Sequence, residues 1–226
     1  MRSMITIIIL CMSVYRVSGQ ENFPDLEIPF DRLEVTGNIH VILVASEAQK
    51  MEVLSDGVGE ALNLENKEGT LVLKAKSEVS NAEAIEVKLH YVTLSGLKIS
   101  KGGRVQSADT LRAPTLELDV LSGAKSELNI HVDMLDARVN QGGDIILYGV
   151  VATQRINAYS WGNYLAYDLE SKETFVKAAT GAQVKISASE LLDANATSKA
   201  FVGYMGDPDQ KRIKTSVGGV ISSHSL

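Results

Sequence analysis

The sequence predicts an all-β solenoid, a chain wound into coils of short strands with about 20 residues per coil, and two observations predict it. First, turn-like triplets recur almost evenly through the second half: Lys101-Gly102-Gly103, Ser122-Gly123-Ala124, Gln141-Gly142-Gly143, Trp161-Gly162-Asn163, Thr180-Gly181-Ala182, Thr197-Ser198-Lys199 and Val217-Gly218-Gly219. With Gly102, Gly123, Gly142, Gly162, Gly181, Ser198 and Gly218 as turn centres, the steps are 21, 19, 20, 19, 17 and 20 residues. Second, apolar and polar side chains alternate between the turns, the period of a strand and not of a helix.

Taken in order, the chain divides into three parts. Residues 1–19 read as a secretory signal: Arg2, the apolar run from Met4 to Val14, and Val17-Ser18-Gly19 as a small-residue cleavage site. Residues 20–93 are expected to be an irregular strand layer that caps the solenoid and is continuous with it. Leu33 to Val35, Ile39 to Leu43, Leu71 to Leu73 and Ile85 to Leu89 alternate there, and Asn66-Lys67-Glu68-Gly69 suits a hairpin turn.

Residues 94–226 carry the repeats, two strands to each coil. Leu128, Ile130 and Val132, then Ala137 and Val139, are expected to point inward, as are Ile145 with Leu147 and Ile156 with Ala158. The following coils put Leu165, Tyr167, Val176, Ala178, Val184, Ile186, Ala194, Ala196, Val202, Tyr204, Ile213, Thr215 and Val217 inside. Coils that repeat the chain direction pair in parallel, rising about 4.8 Å each. Glycine suits the recurring bend because positive φ costs it nothing.

Removing residues 1–19 takes away Arg2 and Arg16, no acid, and the only cysteine, so the formal net charge moves from −6 to −8. No disulfide is then available, and the fold rests on burial and hydrogen bonding. Acidity without a basic stripe speaks against nucleic acid as a partner. The apolar run of residues 4–14 is shorter than the roughly 20 residues of a spanning helix, so no integral membrane span is expected.

The segment Phe30-Asp31-Arg32-Leu33-Glu34-Val35-Thr36-Gly37-Asn38-Ile39-His40-Val41, the glycine bends after it, and Tyr204-Met205-Gly206-Asp207-Pro208 near the end carry a resemblance. In their order and spacing they resemble the family of secreted proteins described as putative auto-transporter adhesins, head GIN domain, common in Bacteroidetes. The resemblance implies a right-handed parallel β-helix with two sheets, pectin-lyase-like in shape, and a role in adhesion. Trp161 and Asn163 about Gly162, and the missing glycine at position 198, depart from the family's turn pattern.

The four histidines, His40, His90, His131 and His224, have no ligand-like spacing. No metal and no cofactor are expected. The catalytic alternative, a polysaccharide lyase or glycosidase, would draw on Glu117, Asp119, Asp136, Arg138, Arg155 and Lys177 on an outward face, since glycoside hydrolysis needs paired carboxylates. An ordinary charged face explains the same residues.

Tyr148, Tyr159, Trp161, Tyr164 and Tyr167 lie within twenty positions. Tyr159, Trp161 and Tyr164 flank a turn and are the candidate ligand-binding residues, able to stack on a sugar ring or a protein partner. Gly102, Gly123, Gly142, Gly162, Gly181 and Gly218 are the candidate structural turn residues. The expected protein is therefore an exported, non-catalytic adhesin in the periplasm, on the cell surface or outside, binding a carbohydrate or host matrix protein. A homo-oligomer is compatible with that role.

Overall fold

The structure, a computed structural model, describes residues 29–55, 61–76 and 84–224. The expected signal segment lies outside them. Strands account for the regular structure: β1 (Arg32–Thr36), β2 (Ile39–Ala45), β3 (Lys50–Val53), β4 (Leu62–Lys67), β5 (Thr70–Ala75), β6 (Ile85–Tyr91) and β7 (Gly96–Ser100) come first. Three long strands follow, β8 (Arg104–Leu121), β9 (Lys125–Asn140) and β10 (Asp144–Ala158). The later coils are split in two, as β11 (Asn163–Ala166), β12 (Leu169–Ala178), β13 (Gln183–Ser187), β14 (Leu191–Ala196), β15 (Phe201–Met205), β16 (Gln210–Thr215) and β17 (Val220–Ser223).

These strands form a β-solenoid of about seven turns with about 19 residues per coil. All seventeen belong to one hydrogen-bonded sheet, bent into two faces because β8, β9 and β10 run through a corner. One face, here called face A, stacks β5, β1, β7, the second halves of β8, β9 and β10, then β12, β14 and β16. Face B stacks β6, β2, the first halves of β8 to β10, then β11, β13, β15 and β17. Pairing is parallel throughout both stacks. The exceptions are β3, antiparallel to β6, and β4, antiparallel to β5.

The first described strands do not lie at the end of the stack. β1 lies between β5 and β7, and β2 between β6 and β8, so the first corner is enclosed by rungs the chain makes later. The β4–β5 hairpin turns at Glu68 and Gly69, both at positive φ.

Parallel, in-register pairing turns the sequence alternation into columns of like side chains. On face A, Leu71, Leu33, Leu97, Leu118, Ala137, Ile156, Val176 and Ala194 succeed one another inward, and all are buried. The inward column of face B runs Val87, Val41, Val105, Ser126, Ile145, Tyr164, Val184 and Val202, also buried. A large ring at one rung is offset by alanine nearby: Ala166, Ala178, Ala194 and Ala196 all sit in the coils around Tyr164. Small residues beside a large ring are how a close-packed interior accommodates a change in side-chain volume from rung to rung.

Most of the residues expected inside are inside, with two differences. Tyr164 and Ala166 face inward and Leu165 and Tyr167 do not, because the strand after Gly162 starts one residue earlier than the glycine spacing implies, and a one-residue slip inverts every side chain. Ile213 and Val217, 44% and 76% exposed, and Thr215, also exposed, belong to the last rungs, which no coil of the described residues covers.

Candidate recognition surfaces

Seven turns stack into a ridge between the faces. In each, two consecutive residues have positive φ: Lys101 and Gly102, Ser122 and Gly123, Gln141 and Gly142, Ser160 and Trp161, Thr180 and Gly181, Ser198 and Lys199, Val217 and Gly218. The N–H of the following residue donates back across the turn, as from Gly143 to Asn140 O and from Gly162 to Tyr159 O. Two positive φ values within such a bond define a type I′ turn. The second residue also donates to the next rung: Gly142 N–H to Ser160 O, Trp161 N–H to Thr180 O, Gly181 N–H to Ser198 O.

This geometry corrects the role of Gly162. It occupies the buried third place of its turn, equivalent to Gly143, and Trp161 takes the glycine place at φ 64°. Lys199 does the same at φ 64° in the turn where Ser198 is first of the pair. With Trp161 and Lys199 as centres the steps become 21, 19, 19, 20, 18 and 19. The long first step is absorbed by an irregularity in β8 between Gln106 and Thr110.

Gly102, Gly123, Gly142, Gly181 and Gly218 do stand at positive φ. Trp161 projects from the ridge 69% exposed, and Tyr159 beside it is 38% exposed. The indole lies over the next rung's turn, where a Cβ on Gly181 would come within 2.8 Å of it.

Tyr164, expected at this rim, is instead fully buried. Its hydroxyl donates to Gln154 Oε1 at 2.6 Å, Gln154 Nε2 donates to Thr174 Oγ1 at 3.0 Å, and Thr174 reaches Ser187 O at 3.2 Å. Burial pushes the Tyr164 phenol far above its ordinary pKa. It anchors a polar island in the core and is removed from any surface site.

The outward side of face A carries two charged columns. In register, the first is Thr70, Arg32, Gly96, Glu117, Asp136, Arg155, Phe175, Asp193 and Arg212. The second is Val72, Glu34, Lys98, Asp119, Arg138, Asn157, Lys177, Asn195 and Lys214.

The N-terminal half of this face is paired. Lys98 Nζ meets Glu34 at 3.0 Å, Arg138 Nε meets Asp119 at 3.7 Å, and Arg32 crosses a whole rung to donate to Glu117. The crossing needs Gly96, where a Cβ would lie 2.8 Å from the Arg32 guanidinium carbon. The hydrogen bond from Arg32 holds the Glu117 carboxyl below its ordinary pKa.

The C-terminal half is different. Arg155 lies 5.7 Å from the Phe175 ring centre, and the groove there, about 330 Å³, is lined by Arg155, Asn157, Phe175, Lys177, Asn195 and Lys214 among others.

The residues of the catalytic alternative all sit on this face, with Asp136 between Glu117 and Arg155 in register. Glu117 is ionised and engaged by Arg32, the reverse of the raised pKa a general acid needs. Among the described residues, no three His, Cys, Asp or Glu gather as metal ligands. No helix among them is long and apolar enough to cross a membrane.

With this geometry in place, the family profile described as "Putative auto-transporter adhesin, head GIN domain" matches residues 29–208. This chain is a member of the head GIN family. Solved structures agree on the fold. A putative adhesin from Bacteroides fragilis superposes with a TM-score of 0.77 at 16% identity, covering 87% of this chain and 93% of that one.

A putative lipid binding protein from Parabacteroides distasonis gives 0.67 at 19% identity, covering 87% and 93%. A putative adhesin from Parabacteroides merdae gives 0.66 at 16% identity, covering 92% and 95%. A search of curated proteins finds no match. Sequence reasoning found the head GIN resemblance and the glycine ridge but missed that Trp161 stands in a glycine place. The signal was there in its position, nineteen residues after Gly142.

Proposed function

We propose that this head GIN protein is an exported, non-catalytic recognition protein that binds its ligand through the outside of the solenoid. The observation that carries this reading is Trp161. Two of the seven turns, those of Trp161 and Lys199, give up glycine at this place, although a left-handed conformation costs an ordinary L residue roughly 1–2 kcal/mol, and of the two only Trp161 is aromatic. The position holds the chain's one tryptophan, mostly in water, with Tyr159 alongside. Strain kept at an exposed aromatic is the pattern of a binding element, and a rigid indole loses little entropy on contact.

Residues 1–19 are the export signal in this reading, and the site of action is the periplasm, the cell surface or the exterior. Ligands that fit an exposed indole are a pyranose face or an apolar patch on a matrix protein. Residues 20–93 act as the cap of one continuous body, with residues 94–226 as the repeated part.

A panel of uncharged glycans and matrix proteins, followed by Trp161→Gly on any of these that binds, tests the reading. Glycine suits the backbone there, so the fold survives and binding should be lost. Unchanged binding, or turnover of a polysaccharide by the native protein, would contradict it.

A further inference from the structure

Beyond the aromatic ridge, the two outward columns of face A differ between their halves in a way that packing does not require. From β1 to the second half of β9, Glu34 and Lys98, Asp119 and Arg138, and Arg32 and Glu117 meet as ion pairs. From the second half of β10 onward, Arg155, Lys177 and Lys214 have no carboxylate of the described residues within 4 Å, and in these two columns only Asp193 is paired among them, at 3.9 Å, by Arg212. Asp136, the rung before Arg155, marks the boundary and makes no ion pair with it.

In a chain of net charge −6, acids were plentiful for pairing these cations, yet the second column there reads Asn157, Lys177, Asn195, Lys214.

Amide and ammonium thus alternate along a straight line with one rung, about 4.8 Å, between them. That spacing is close to the rise of one sugar residue in an extended polysaccharide. Amides suit hydroxyls and lysines suit carboxylates. Phe175, half-buried in the adjoining column with Arg155 near its ring, offers an apolar surface beside the line.

We propose that the groove over β10, β12, β14 and β16 on face A binds an anionic, uronate-bearing polysaccharide lying across the rungs. Lys177 and Lys214 hold carboxylates, and Asn157 and Asn195 hold the hydroxyls of the sugars between them. The proposal rests on the reading that this molecule works by recognition, but it uses a different surface from Trp161.

The test is titration calorimetry of the full chain with oligogalacturonate at low and at raised salt. The native protein binds, and affinity falls as salt rises. The Lys177→Gln, Lys214→Gln double variant loses about tenfold, the summed effect of two charged contacts in water. Lys98→Gln, in the same column of the paired half, changes affinity little, and Trp161→Gly leaves it intact.

Absence of binding at low salt, undiminished binding by the double variant, or equal binding of single-stranded DNA or anionic vesicles would overturn the proposal. A null result here with a ligand lost in Trp161→Gly would leave the ridge reading standing. The reverse result would leave this one.

Discussion

Gly142 and Gly143 are neighbours, yet the structure needs glycine at each for a different reason. Gly142 has φ 71° and open space around its Cβ position, so Gly142→Ala should cost about 1 kcal/mol of backbone strain and nothing more. Gly143 has an ordinary φ, but a Cβ there would sit 2.6 Å from Val120 O in the previous rung. Gly143→Ala should therefore cost more, about 2–3 kcal/mol by forcing rungs apart. Denaturant unfolding of the two variants distinguishes them.

Thr180, β-branched at φ 53°, is the converse case, and Thr180→Asn should stabilise by roughly 0.5–1 kcal/mol because Asn tolerates that region better. Both Gly142 and Gly143 catch the eye in the sequence. Residue type alone does not disclose which member of a turn is left-handed, only the spacing hints at it, and that is how Gly162 takes the look of a turn centre when its rung places Trp161 there.

At the scale of elements, two features tie rungs to one another. The first is the island of Tyr164 on β11, Gln154 on β10 and Thr174 on β12. Tyr164→Phe leaves Gln154 Oε1 without its donor in the core and should cost about 1–3 kcal/mol.

The folded-state pKa of Tyr164 is raised above the unfolded value of about 10. Its contribution is therefore fully present below that pH and is lost as pH rises beyond it. Tyrosinate absorbance should accordingly show one fewer group titrating before alkaline unfolding in the native protein than its exposed tyrosines and Tyr164 together would give.

The second feature is Arg32 reaching over Gly96 to Glu117. The Glu117 pKa is lowered in the folded state, so its contribution is present above about pH 4.3 and lost as pH falls through the folded value. Both side chains are about half exposed, which keeps the contribution below about 1 kcal/mol. Gly96→Ala should displace the guanidinium and remove this acid-dependent increment, seen as a flatter stability profile between neutral and acid pH.

Strand alternation made most inward residues readable, because period two is strict within a strand. Tyr164 escaped since its face depends on where the strand begins, a register set by the turn before it.

The whole molecule is a stack whose middle is uniform and whose ends are not. At one end β3 and β4 close it as antiparallel strands, with Lys50 paired to Glu52 and Lys67 to Glu65 along them. At the other, β16 is exposed along its length and β17 at all but Ile221, and Lys211, Arg212 and Lys214 place charge on the edge left open among the described residues, a device against edge-to-edge aggregation. Amide exchange should be fastest in β16 and β17 and slow in β9 and β10, since each rung is held by its neighbours.

The enclosure of β1 between β5 and β7 was not readable from the sequence. It is a pairing between distant segments, and no repeat in the first part of the chain encodes it. The repeated part was readable because each coil states the same rule again.

Everything proposed for the outer surface depends on each turn adding one rung in register, so that distant residues share a straight column. Spin-label pairs on the exposed ridge measure this, with Lys101→Cys against Thr180→Cys and against Val217→Cys, in a chain whose Cys11 is replaced by serine. Four and six rungs at about 4.8 Å each should give mean separations near 19 and 29 Å, before the reach of the labels. Separations that do not grow with the number of turns between the labels would contradict the stack, and with it the columns on which both binding surfaces are built.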